Sequence, residues 1–313
     1  MLTGGFGYAY MNTAELLDTA FELYKKTFWR QMVRVMILGI PAILAFSAYI
    51  AAAVFILGVT NSGGASGLSM SAGILAFFFI LMYLVWAAAS AAGNISLTRQ
   101  AFYGSPISLD TMFNDIKSNF FRVFSALSAV FLAVLPFLAA AIYIVIYAAR
   151  YIQLLRASSA FLIFISVVAL FAAALIALIF QTLTSNAVHA AAFEKKYFFA
   201  AVIRSCVIIK GDAVKIFGTY IIWQMITAIV SYSALIALYL AAGFVNGALG
   251  WVSDYYLPGL YPAMVISNMV SVWISVVLSP LSGILPSSVY FNQMIKKEGL
   301  DIKIKLEMLG GRA

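Results

Sequence analysis

Six apolar runs, at about 35–58, 74–97, 122–148, 159–187, 216–243 and 264–291, leave this chain few folds to choose from. Each is at or beyond the roughly 20 residues that a helix needs to cross the hydrocarbon core of a bilayer. Inside hydrocarbon every backbone N–H and C=O must find a partner within its own structure. The runs are too long for barrel strands, so they are expected as six transmembrane helices of an all-α membrane protein. Composition points the same way: of 313 residues 64% are apolar and 10% charged, against about a quarter charged in soluble domains.

The charges orient the runs. Of the 19 Lys and Arg, four precede the first run, three lie in 99–122, five in 195–215 and five after 295. The remaining two, Arg150 and Arg156, flank the outer connection at 149–158, and the connections at 59–73 and 244–263 carry no Lys or Arg. The positive-inside rule therefore predicts both termini and the basic connections on the cytoplasmic side. Basic segments beside a bilayer meet anionic headgroups. Nucleic acid is not an expected partner, because the charge is split over four membrane-proximal places.

A repeat underlies this layout. Leu17-Asp18-Thr19-Ala20-Phe21-Glu22-Leu23-Tyr24-Lys25-Lys26-Thr27-Phe28-Trp29-Arg30 returns 92 residues later as Leu109-Asp110-Thr111-Met112-Phe113-Asn114-Asp115-Ile116-Lys117-Ser118-Asn119-Phe120-Phe121-Arg122, without a gap. A weaker third copy lies at an offset of 185, where Lys210 answers Lys25 and Lys215 stands in for Arg30. Each copy precedes a pair of apolar runs. The expectation is one membrane domain over 1–313, built of three parallel repeats (about 12–98, 104–190 and 197–295). Each repeat is an interfacial amphipathic helix plus two spans, related by an axis along the membrane normal. A fourth interfacial helix is expected at 299–310.

Local signals refine the plan. Asn12 with Glu15 forms a capping box for the first helix. Leu17, Phe21, Tyr24 and Phe28 recur at helical spacing opposite Asp18, Glu22, Lys25 and Lys26, as in a helix lying on a leaflet. Arg30 and Arg34 mark the entry into the membrane, and Pro41 is expected to kink the first span. The Gly/Ser-rich 58–73 and the aromatic 244–262 (Trp251, Tyr255, Tyr256, Tyr261) are expected as outer loops, the latter as an interfacial belt. The third amphipathic segment, 195–214, is more apolar than its sisters and is expected to be buried by the bundle.

Candidate chemistry is sparse. All eleven acids lie outside the six runs, whereas ion-coupled transport and intramembrane proteolysis by carboxylates or metal keep ionisable groups near the midplane. His189 is the only histidine and Cys206 the only cysteine. No metal site or cofactor is expected from them, and His189 reads as hydrogen-bonded near the cytoplasmic interface. Cys206 reads as a buried small filler, with palmitoylation as the functional alternative. Arg150 and Arg156 are candidate contacts for an anionic lipid or peptide on the outer side. Lys25, Lys26, Arg30, Lys117, Arg122, Lys210 and Lys215 form a candidate cytoplasmic face for lipid or a protein partner.

Leu16-Leu17-Asp18-Thr19-Ala20-Phe21-Glu22-Leu23-Tyr24-Lys25-Lys26, together with Tyr290 and Ile295-Lys296-Lys297-Glu298-Gly299-Leu300-Asp301, resembles the membrane domain found fused to some bacterial glycerophosphoryl diester phosphodiesterases. The chain departs from that pattern where Phe291 and Asn292 follow Tyr290, so the Asp that often follows the family's Tyr-Tyr is absent. What the resemblance implies is a multi-pass protein of the bacterial cytoplasmic membrane. The paired acids and His of the phosphodiesterase have no place among residues already used by membrane helices, so its activity is not carried over. The expected role is that of a non-enzymatic accessory or scaffold protein that organises lipid or a membrane partner. The alternative is transport of a lipid or small apolar peptide, with Pro41, Pro136, Pro280 and Pro286 as hinges.

Overall fold

The computed structural model describes residues 10–60, 65–155, 159–256, 280–281 and 283–299. The described chain is helical, in the order α1 (Thr13–Thr60), α2 (Ala65–Phe102), α3 (Leu109–Leu155), α4 (Ser159–Thr184), α5 (Ala187–Phe193), α6 (Phe198–Ile209), α7 (Ala213–Tyr256) and α8 (283–298). Among the described residues four stretches are long and apolar enough to cross a bilayer: Thr13–Ile50, Gly73–Phe102, Leu109–Phe137 and Ala213–Ser233. That is the signature of a multi-pass membrane protein.

The helices run longer than the apolar runs. At about 1.5 Å per residue α1 is about 70 Å long, more than twice the hydrocarbon thickness. The amphipathic segment and the span that follows it are therefore one uninterrupted helix in α1 and again in α3, and not two helices with a turn between them. Thr27-Phe28-Trp29-Arg30-Gln31-Met32-Val33-Arg34 contains no Gly, Pro or competing cap, so nothing stops propagation. Helix α1 also continues through Pro41 and α3 through Pro136.

The third amphipathic segment differs. Lys210-Gly211-Asp212 separates α6 from α7, and Gly211 takes φ +94°, a left-handed conformation that only glycine adopts cheaply. The expected outer loops also shrink. Residues 65–73 begin α2 and 244–256 complete α7, because isolated glycines weaken a helix without ending it. The remainder of those connections, Arg156, the start of the sixth run (264–279) and the helix expected at 299–310 lie outside the described residues.

Packing closes the helices on one another. Helix α1 lies on α2, α2 on α3, α3 on α4, α5 and α6, α4 on α7, and α7 again on α1. Helix α8 fills the middle of the main core. Ile284, Leu285, Ser287, Ser288, Val289, Tyr290, Phe291, Asn292 and Gln293 are all buried and Pro286 is half-buried, so this stretch is packed into protein around most of its circumference. They join Leu16, Ala20 and Leu23 of α1, Phe102 of α2, Ile208 and Ile209 of α6, and Ile216, Tyr220 and Trp223 of α7. Phe102 and Phe291 stack with ring centres 4.5 Å apart and planes 17° from parallel. Such a contact contributes about 0.5–1.5 kcal/mol beyond the area it buries.

Candidate functional site

A polar seam runs through this apolar centre. It begins on α1, where Gln31 and Arg34 lie three residues apart on one face, both buried. Arg34 Nε donates to Gln31 Oε1 (2.7 Å), and Nη1 donates to the Ser90 carbonyl and to Ser90 Oγ (both 2.7 Å). Gln31 Nε2 donates to Asn94 Oδ1 (2.8 Å), which also receives Thr98 Oγ1 (3.2 Å). Asn94 Nδ2 reaches the Pro280 carbonyl at 3.3 Å. Among the described residues no carboxylate pairs with Arg34, so a buried guanidinium is held by neutral dipoles alone. The small residues of α2 make this possible: a Cβ on Gly93 would lie 3.0 Å from Arg34 Cδ.

The seam continues on α5 and α8. His189 Nε2 lies 2.8 Å from Ser287 Oγ, and Ser287 Oγ lies 3.0 Å from the Gly283 carbonyl. The direction of the His189–Ser287 bond follows the imidazole tautomer. The His189 ring lies nearly parallel to Tyr290 (centres 5.4 Å, 23°) and Phe193 (6.5 Å, 28°). Burial pushes its pKa down from 6.5 to about 4. The expectation of a hydrogen-bonded histidine holds. Its partner comes from a helix 98 residues away, which no local spacing shows.

Beyond His189 the seam reaches the surface. Tyr290 Oη donates to Glu194 (3.2 Å), and Arg204 Nε donates to the same carboxylate (2.6 Å) while its Nη2 pairs with Glu298. The Glu194 bond raises the Arg204 pKa. Asp212, held by Lys296 at 2.6 Å, is lowered by that bond. Arg99 pairs with Asp115 at 2.7 Å.

The cations singled out from the sequence are not in this seam but around it. Lys25, Lys26, Arg30, Lys117, Lys210 and Lys215 are exposed, and Arg122 is half-buried. Arg122 Nε donates to Tyr197 Oη (3.1 Å) and its guanidinium lies 5.8 Å from that ring. Lys215 Nζ donates to Tyr10 Oη (2.6 Å) and shares the Tyr10 ring with Lys296, at 4.6 and 4.9 Å. Arg150 belongs to α3, but its side chain, like all of Arg156, is outside the described residues.

Two expectations about α6 are corrected. Ala201, Ser205, Ile208 and Ile209 are buried, but Phe199, Ile203 and Val207 are exposed, so the helix has an apolar face on both sides. Cys206 is exposed as well, and the buried small side chain is Ser205, which bonds the Leu183 carbonyl at 2.6 Å. Residues 201, 205, 208 and 209 form the inward stripe at helical spacing, and Cys206 lies off that stripe, 100° on from Ser205.

Two crevices lined wholly by described residues, one at Ser96, Arg99, Asp115 and Asn119 and one at Tyr10, Lys215, Thr219 and Gln293, each have room for about one water molecule. No family model, curated protein or solved structure matches the chain.

Proposed function

We propose that this protein is a non-enzymatic scaffold of a cytoplasmic membrane, whose packed centre fixes the geometry of a basic cytoplasmic face that gathers lipid or a membrane partner. The observation that carries the reading is the filled middle. Residues 284–293 of α8 are buried apart from the half-buried Pro286, and they close one core with Phe102, Ile209 and Trp223 of three other helices. The working surface is then the outside, where Lys25, Arg30, Lys117, Lys210 and Lys215 are exposed.

The finer architecture belongs to the same proposal. Six spans, three repeats and cytoplasmic termini are supported by the burial of positions that the offsets of 92 and 185 bring together. Ala20, Met112 and Ser205 are all buried; so are Gln31, Val123 and Ile216; so are Arg34, Ala126 and Thr219. The likeness to the phosphodiesterase-associated membrane family, with its bacterial setting, rests on the terminal motifs and stands as part of this reading.

The test is purification in a gentle detergent followed by native mass spectrometry. A polypeptide in fixed ratio, or anionic lipid retained through purification, supports a scaffold. Neither being retained, together with melting that is independent of added lipid, rejects it. A bound acyl chain or peptide released on reconstitution into empty vesicles moves the assignment to transport.

A further inference from the structure

Under the two offsets Trp29, Phe121 and Val214 occupy one position of the repeat. They are also the three most exposed large apolar side chains among the described residues, at 77%, 76% and 85%. Each is followed by a cation (Arg30, Arg122, Lys215), and another cation lies four residues before it (Lys25, Lys117, Lys210).

We propose that these are three equivalent contacts with an anionic phospholipid leaflet, the apolar side chain seated at the acyl boundary and the cations on phosphodiester oxygens. The proposal deepens the scaffold reading and rests on its placing of the basic side at the cytoplasmic leaflet.

Three observations bear on it. Ala20, Met112 and Ser205, nine residues before each station, are buried in all three copies, while the stations themselves are exposed. None of the six cations has a carboxylate within ion-pair distance among the described residues. The acids closest in sequence to the second and third stations are already engaged: Asp115 with Arg99, Glu194 with Arg204, Asp212 with Lys296. Asp18, Glu22 and Asp110 lie nearer the starts of their helices. Six cations without a carboxylate partner among the described residues, beside protruding apolar side chains, ask for a surface that is anionic outside and apolar beneath. A headgroup layer offers both within one side-chain length, and Trp and Phe beside Lys and Arg are the usual occupants of that depth. At the second station Tyr197, exposed and bonded to Arg122, adds a further ring.

The experiment places a single cysteine at each station (Trp29→Cys, Phe121→Cys, Val214→Cys) in a full-length Cys206→Ser chain, with an environment-sensitive fluorophore attached. The protein is reconstituted in vesicles of phosphatidylglycerol and phosphatidylcholine whose acyl chains carry bromine at shallow or deep positions. All three labels should be quenched more by shallow than by deep bromine, corresponding to about 5–10 Å of insertion, and shielded from aqueous iodide. Quenching by iodide in place of bromolipid at any of the three overturns the equivalence.

Changing Lys25 and Arg30 together to Gln should lower the phosphatidylglycerol retained in native mass spectrometry by about fivefold per cation. Unchanged retention overturns the headgroup assignment. Depth and lipid retention are measured without any partner, so their failure leaves the scaffold reading intact. A stoichiometric polypeptide shielding the three positions in native membranes would uphold the scaffold and overturn the lipid contact.

Discussion

At the scale of single residues, Arg34 is the sharpest case of a side chain whose role its position conceals. As a mark in a string it closes a basic cluster before an apolar run. In the fold it is buried, with Gln31 and Ser90 as its partners. Arg34→Met would keep the volume but leave the Gln31 and Ser90 oxygens without donors, so the expected loss is about 2–3 kcal/mol, read as a lower melting temperature in detergent, with Arg34→Lys intermediate. His189 gives a prediction of definite sign. Its pKa is held near 4 by burial in the native state, while the unfolded chain binds the proton near 6.5. Native stability is therefore complete above about pH 7 and falls as pH drops from 6.5 to 4, by about 3 kcal/mol. Melting followed from pH 8 to 4 should show this slope, and His189→Gln should flatten it. A hydrogen-bonded histidine was legible in the sequence; Ser287 and Arg34 were not, since each partnership joins helices that only the tertiary fold brings together. The one available signal for the latter was a polar pair, Gln31 and Arg34, three apart on a single face.

At the scale of elements, glycines separate packing from propensity. A Cβ at Gly283 would fall 2.0 Å from Asn94 Nδ2, whereas one at Gly218 meets nothing within 4 Å. Gly283→Ala must push Asn94 off Gln31 and the Pro280 carbonyl, costing about 1–3 kcal/mol. Gly218→Ala only removes backbone freedom from the unfolded chain and should stabilise by about 0.5–1 kcal/mol. Thermal unfolding of the pair checks both signs. The existence and order of the long helices could be read from apolar length, because lipid permits few alternatives for such runs. Their ends could not. The capping box at Asn12 and Glu15 forms as expected, with bonds of 2.8 and 2.9 Å. Farther along, neither the glycines of 65–73 nor Pro41 stops a helix, since the cost of one poor residue is less than the cost of abandoning backbone hydrogen bonds. Helix α6 misled for another reason: an apolar helix beside a bilayer can be apolar on two faces, one for protein and one for lipid, and composition alone does not say which.

At the scale of the whole molecule, the arrangement is a set of long helices closed around α8. Opening free energy should be highest where burial is most complete, so amide hydrogen exchange should be slowest in 284–293 and in the buried part of α2 near 94–101. The outward faces of α6 should exchange faster, and exchange mass spectrometry in nanodiscs resolves the two. The placement of α8 also has a temporal meaning. Chains are made from the N-terminus onward at about 5–20 residues per second, so α1 to α7 are synthesised and inserted before the residues that fill their middle exist. During that interval Asn94 lacks the Pro280 carbonyl and His189 lacks Ser287. The growing bundle is therefore an open clasp, lined with unsatisfied donors, and the last helix is the pin that locks it.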